Sequence, residues 1–169
     1  MTIYTIGHST RPADEFADSL VRHGVRQVVD VRKLPGSRRF PHFNAEAMAE
    51  WLGEAGIAYV HEPGLGGRRS SSGDSPNTYW ENASFRAFAD YMRTPEFEAA
   101  LERLIAVAGE QTTAIMCSEA VPWRCHRQLI ADALVSRGVE VRDIVGKNAR
   151  QHALHAHAHV EDDGRLRYV

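Results

Sequence analysis

Two hydrophobic periods alternate along this chain. Short apolar runs of strand length give way to segments in which apolar residues recur every three or four positions, as on one face of a helix. Residues 3–6, 28–31, 57–60, 113–116 and 139–145 read as five strands, the last partly polar and so nearer an edge. Between them lie helical patterns. Pro12 suits a first helical turn, Asp14 and Glu15 favour its positive end, Phe16 and Leu20 form its inner face, and Gly24 ends it. Asn44 is placed to cap a helix carrying Met48, Trp51 and Leu52, closed by Gly56. Ser84 opens a helix with Phe85, Phe88 and Met92. Thr94-Pro95 starts another with Phe97, Leu101, Leu104 and Ile105, stopping at Gly109. A last helix runs through Leu129, Ile130, Ala133 and Leu134 to Gly138.

Strands alternating with helices imply right-handed crossovers. The expected fold is a single α/β domain over 1–169, a mostly parallel sheet with helices on both faces. The stretch 64–82 is long, polar and rich in Gly, Ser and Arg, which suits a lid-like loop. Residues 151–169 read as a polar tail with a turn and a short extended end. In such a sheet, ligands bind beyond the carboxyl ends of the strands. Those ends carry Gly7, His8 and Ser9, then Asp30 and Arg32, then His61 and Glu62, then Cys117, Ser118 and Glu119. Each of these edges is polar or reactive.

Composition narrows the classes. In 169 residues, 43% hydrophobic and 25% charged positions suit one globular domain with a real core. A formal net charge of -2 argues against bulk coating of nucleic acid but allows a local basic groove. The basic side is almost all arginine, with Lys33 and Lys147 the only lysines. Arg32, Lys33, Arg38 and Arg39 share one acid-free loop after the second strand, suited to forked contacts with phosphate or carboxylate. Two cysteines are no disulfide framework, so a reducing, cytoplasmic setting is expected. The run Met1-Thr2-Ile3-Tyr4-Thr5-Ile6 is too short, and lacks the basic start, for a signal peptide. No apolar run reaches membrane-spanning length, so no membrane partner is expected. Oligomeric state is not legible, since Trp51 and Phe88 suit a core or a neighbour equally.

The sharpest chemistry lies in Cys117 and Cys125, eight residues apart where the fourth strand yields to the last helix. A helix start lowers a thiol's pKa and attracts anions. Three chemistries fit. One cysteine is a nucleophile, or the two form a reversible disulfide, or both hold a divalent metal with His126 and His8. The gap is not the close spacing of structural zinc. Phosphatase and rhodanese loops carry Cys, five residues, Arg. Here Trp123 occupies the arginine's place and Arg124 comes one late, so that signature fails. His126 directly follows Cys125, and helical neighbours do not face each other, so a thiol's imidazole partner is expected to be His8 or another histidine. Asp30, set among valines, must be paired, either with Arg32 or backbone amides or by orienting His8 or a substrate. His155, His157 and His159 alternate, and a strand would put them on one face for a metal.

The runs Ile6-Gly7-His8-Ser9, Asp30-Val31-Arg32, Pro35-Gly36-Ser37, Gly64-Leu65-Gly66-Gly67, Phe85-Arg86 with Tyr91-Met92, Met116-Cys117-Ser118-Glu119 and Cys125-His126-Arg127 together resemble the family called domain of unknown function 488. The resemblance runs nearly end to end, and His152 and Gly164-Arg165-Leu166-Arg167-Tyr168 fit its tail; Val169 stands where the family has proline. It brings no established activity, although members are sometimes labelled as DNA-repair proteins. It implies that His8, Asp30, Arg32, Gly66, Gly67, Cys117, Glu119, Cys125, His126 and Arg127 are the family's positions. These coincide with the strand ends, whereas His155, His157 and His159 do not belong to the pattern.

The leading expectation is an enzyme acting on a small or nucleotide-like anionic substrate. Its catalytic candidates are Cys117, Cys125, Glu119, His8 and Asp30; its binding candidates are Ser9, Arg32, Arg38, Gly66, Gly67, His126 and Arg127. One alternative is a nucleic-acid-binding module, with Arg38, Arg39, Arg68 and Arg69 on phosphates and Tyr79 or Trp80 stacking on a base. The other is a Cys/His protein dependent on a divalent metal.

Overall fold

The computed structural model describes residues 1–67, 69 and 73–169. Five parallel strands form its centre: β1 (Thr2–Gly7), β2 (Gln27–Asp30), β3 (Ala58–His61), β4 (Thr113–Cys117) and β5 (Glu140–Val145). A sixth, β6 (Asn148–Gln151), pairs antiparallel with β5, and the order across the sheet is β3-β2-β4-β1-β5-β6. The fold is therefore α/β, with a mostly parallel sheet.

Along the buried central strands successive side chains enter opposite layers, as the pleat requires. Val28, Ala114 and Met116 face one layer, made by Phe16 and Leu20 of α1 (Ala13–Arg22) and Met48 and Leu52 of α2 (Ala45–Glu54). Val29, Ile115 and Cys117 face the other. That layer holds Phe88 of α3 (Ala83–Tyr91), Leu101 and Leu104 of α4 (Pro95–Glu110), and Leu129 and Ile130 of α5 (Arg127–Ser136). The chain thus runs outward through α1 and α2 on one face and returns through α3, α4 and α5 on the other. Crossovers leaving on opposite faces open a crevice at the carboxyl ends of β1, β2 and β4.

Several local expectations change. Asn44 precedes α2, but its Oδ1 accepts from the Ser37 amide at 2.6 Å instead of capping the helix. Asn82, two residues before Ser84, caps α3 by accepting from the Ser84 and Phe85 amides. β5 lies one strand in from the edge, because residues 148–151 turn back as β6. Residues 151–169 have the expected turn and short extended end, and they pack as part of the fold. β7 (Ala158–Val160) and β8 (Leu166–Tyr168) form a hairpin, and Tyr168 is fully buried with its hydroxyl donating to Asp132 at 2.6 Å. His155, His157 and His159 share no strand face: only His159 lies in β7, while His157 stacks on Tyr79 at 4.1 Å. His152 is held between Asp132 at 2.8 Å and Asp143 at 3.0 Å.

The described part of the 64–82 loop is tied to the body. Tyr91 Oη donates to the Gly64 carbonyl at 2.6 Å, and Asn77 is buried. Arg68 lies outside the described residues. Among those described, no helix is long and apolar enough to cross a membrane.

Candidate functional site

Cys117 ends β4 opposite Gly7 of β1. The two chains stay joined past the sheet, since the His8 amide donates to the Cys117 carbonyl and the Ser9 amide to the Ser118 carbonyl, both at 3.0 Å. Ser9 then turns away with φ 51°, a left-handed conformation that costs a residue with a side chain about 1 kcal/mol. Beyond Cys117 the loop folds back over the end of β1. A methyl group on Gly7 would lie 1.5 Å from the Glu119 carbonyl oxygen, so only glycine permits this course.

What holds the loop is Arg127, the first residue of α5, wholly buried. Its Nη1 donates to the Cys117 sulfur at 2.8 Å and to the Glu119 carbonyl at 2.7 Å. Nη2 reaches the Ala120 carbonyl at 3.4 Å, and Nε has no partner among the described residues. No carboxylate among those residues pairs with it. A buried guanidinium is costly unless a counter-charge faces it. The acidic group at hand is the Cys117 thiol. Burial pushes this thiol's pKa up, but a hydrogen bond from Cys125 and the charge of Arg127 outweigh it, and the net direction is down.

Cys125 moves the other way. Burial, then its hydrogen bond to Cys117 and the charge there, push its pKa well above the ordinary thiol value. One sulfur is thus disposed to be thiolate and its neighbour to remain S–H. Cys125 has extended backbone, φ -135° and ψ 148°, ahead of α5. Its sulfur therefore meets His126 Nδ1 at 3.5 Å. The expectation that these neighbours face apart fails because Cys125 is not helical. His126 Nε2 sits between the Val31 and Leu65 carbonyls at 2.9 and 3.0 Å, which can only accept, so it carries the hydrogen and leaves the Nδ1 lone pair facing Cys125. Burial lowers the pKa of His126 to about 4.

His8 is also neutral near pH 7, its pKa lowered to about 4 chiefly by burial. Its Nδ1 donates to the Ser9 carbonyl at 2.8 Å, its ring stacks on Phe43 at 4.2 Å, and Nε2 faces Arg32 Nη1 at 3.4 Å. Asp30, 0% exposed, stands behind Arg32. It accepts from Arg32 Nε at 3.0 Å and Nη2 at 2.7 Å, from the Arg32 amide at 3.0 Å and from the Tyr59 hydroxyl. Nη2 also reaches the Phe43 carbonyl. Asp30 therefore orients Arg32, and through it His8, and is not among the residues lining the crevice.

That crevice is a cleft of about 820 Å³. His8, Ser9, Arg32, Gly67, Cys117, Glu119, Cys125 and His126 all line it. So do Lys33 and Arg39, of the cationic loop after the second strand, and Arg124, to which the sequence assigns no binding role. Arg124 falls one place beyond the Cys, five residues, Arg spacing, yet it sits in the loop that joins the two thiols. Arg38 is exposed and is not among the lining residues, whereas its neighbour Arg39 is. Glu119 is exposed, and its part in the hydrogen bonding is played by its backbone carbonyl. It is the only carboxylate among the lining residues, against four cationic side chains. Among the described residues, no hydrogen bond is donated by the amides of Ser118, Glu119, Ala120 or Val121.

Gly66 and Gly67 act through space. A methyl on Gly66 would lie 2.7 Å from Lys33 Cα, and one on Gly67 would lie 3.1 Å from His126 Nδ1. Of the cations proposed for nucleic acid, Arg69 is engaged within the fold: it donates to the Gly66 and Pro63 carbonyls and lies 3.8 Å over the Tyr91 ring. Trp80 packs against Phe85, His155 and Tyr168. Among the described residues, no three His, Cys, Asp or Glu side chains are grouped to hold a metal. A second cleft of about 480 Å³, missed in the sequence, lies beyond Pro122 and Trp123 against His152 and Asp143.

Fold and site define a doubly wound α/β protein with a buried cysteine–arginine pair at its topological switch point. The model of one family, Domain of unknown function DUF488, matches residues 12–134, and the chain belongs to that family. No curated protein and no solved structure matches it.

Proposed function

We propose that this protein is an enzyme that uses the Cys117 thiolate as a nucleophile on a small anionic substrate held in the cleft beside His8. The observation that carries this reading is the 2.8 Å contact between the Cys117 sulfur and Arg127, a buried guanidinium facing no carboxylate among the described residues. A thiolate in that position offsets the buried charge, and a thiolate is the reactive form. Lys33, Arg39 and Arg124 supply positive potential over the cleft, the charge of Arg32 being offset by Asp30 behind it. The amides of the loop after Cys117 can receive the negative charge that develops when the thiolate attacks. His8, neutral near pH 7, turns its Nε2 lone pair to Arg32 Nη1 and so helps fix the guanidinium at the cleft wall.

The nucleic-acid reading has weaker support, since Arg69 and Trp80 are engaged within the fold and Arg38 is not among the residues lining the cleft. Timed alkylation with iodoacetamide separates the two. The nucleophile reading expects Cys117 to be modified in the folded protein below pH 8, with inorganic phosphate slowing the reaction. If neither cysteine reacts there, the reading fails.

A further inference from the structure

The nucleophilic role uses one thiol and leaves Cys125 without a task. We propose that Cys117 and Cys125 work together as a two-electron redox pair, and that the oxidant they accept is a small acidic disulfide seated in the arginine-lined cleft. The proposal rests on the nucleophilic reading of Cys117 and adds to it a second thiol and an electron acceptor.

Three features support it. Both sulfurs are held by one residue, Arg127, whose Nη1 lies 2.8 Å from Cys117 and whose amide donates to Cys125 at 3.4 Å, and both line one cleft. They are chemically unequal: Arg127 Nη1 contacts the Cys117 sulfur, whereas Cys125 has its sulfur beside His126 Nδ1, a lone pair able to take the S–H proton. An attacking thiolate and a resolving thiol need this inequality. The cleft itself has four cationic side chains, one carboxylate and a volume of about 820 Å³. That size suits a small molecule, and that charge favours one bearing carboxylates.

The steps balance. The Cys117 thiolate attacks one sulfur of R–S–S–R, forming Cys117–S–S–R and expelling R–S⁻. Cys125 then attacks the Cys117 sulfur, its proton passing by way of His126 Nδ1 to the departing group, which leaves as R–S–H. The cysteines lose two electrons and become a disulfide; the substrate gains them and becomes one thiolate and one thiol. Oxidation removes the thiolate that faces buried Arg127. This favours the reduced form, so excess low-molecular-weight thiol readily reverses the reaction.

The test mixes reduced protein with oxidised glutathione at pH 7 and follows the intact mass after acid quenching. Wild type is expected to form an internal Cys117–Cys125 disulfide and release both halves of the reagent. Cys125→Ser is expected to stop with one glutathione on Cys117, and Cys117→Ser to remain unmodified. Cystamine, a cationic disulfide, is expected to react about tenfold more slowly, with the gap closing at high salt. A wild-type protein that stops at the mixed disulfide overturns the proposal, as does cystamine reacting equally fast. Iodoacetamide separates the two levels. If Cys117 alkylates below pH 8 yet no internal disulfide forms, only the redox pair is lost; if neither cysteine alkylates, the nucleophilic reading is lost with it.

Discussion

Arg127 Nη1 lies 2.8 Å from the Cys117 sulfur, and the two residues are 0% and 1% exposed. A cation and an acidic thiol this close and this buried titrate as one unit. From this contact follows the first prediction. The alkylation rate of Cys117 should rise with pH through a midpoint below the usual thiol value of 9.0. The groups facing the sulfur are Arg127 of α5, Cys125 ahead of it, and the Glu119 carbonyl. Because His8 and His126 are both lowered to about 4, the profile should show no break near pH 6.5. Arg127→Met should raise the midpoint and slow the reaction at pH 7 by about tenfold or more. Initial rates across a pH series measure both.

Asp30 and Arg32 form the second buried ion pair of the site. Removing one partner leaves the other's charge uncompensated. Asp30→Asn should therefore destabilise the protein by about 3–5 kcal/mol. Tyr59→Phe removes only one hydroxyl from Asp30 and should cost about 1 kcal/mol. Urea unfolding monitored by tryptophan fluorescence gives both values; equal costs would mean that Asp30 is not carrying Arg32.

Gly7→Ala tests the loop. Its methyl would fall 1.5 Å from the Glu119 carbonyl oxygen, a contact with backbone that no rotamer relieves. The loop must shift, at a cost of about 3 kcal/mol. Since the same carbonyl accepts from Arg127 Nη1, the cysteine–arginine contact should loosen too. The variant should melt lower and lose the depressed midpoint of Cys117. A variant with a wild-type alkylation profile would uncouple the loop from the thiol.

His152 gives a pH dependence far from the thiols. Burial opposes its charge, but hydrogen bonds to Asp132 and Asp143 prevail and raise its pKa to about 9. Asp132 faces it from α5, Asp143 from β5, and His155 from the following turn. A folded pKa above the unfolded 6.5 means that the contribution is whole below pH 6.5 and is lost as pH rises through about 9. With allowance for solvent screening, the loss is on the order of 2 kcal/mol. Melting curves from pH 6 to 10 should fall over that window. His152→Ala should melt lower at pH 6 and show a flatter profile.

Much of the fold was legible because strand and helix periods are local. Val28 and Val29 mark a strand buried on both sides, and Phe16 with Leu20 marks a helix with one inner face. The packing of the tail was not legible because Leu166 and Tyr168 are only two apolar positions, and what holds Tyr168 is Asn77, Trp80 and Asp132, far away in the chain. Asn44 and Asn82 show the same limit at close range. Both are good capping residues, and whether the side chain serves its helix or a nearby loop depends on which amide arrives first.

The sequence alone determined the alternation of elements, hence the parallel sheet and the edge at which reactive residues gather, because periodicity and crossover handedness follow from local sterics. Tertiary structure alone decided which of those residues meet. Arg127 reaches Cys117 across ten positions of irregular loop, Cys125 turns its sulfur toward His126 through an extended backbone, and Asp30 is drawn away from solvent by Arg32 and Tyr59. These pairings depend on where a non-repeating chain folds back under close packing, and no fixed spacing encodes that.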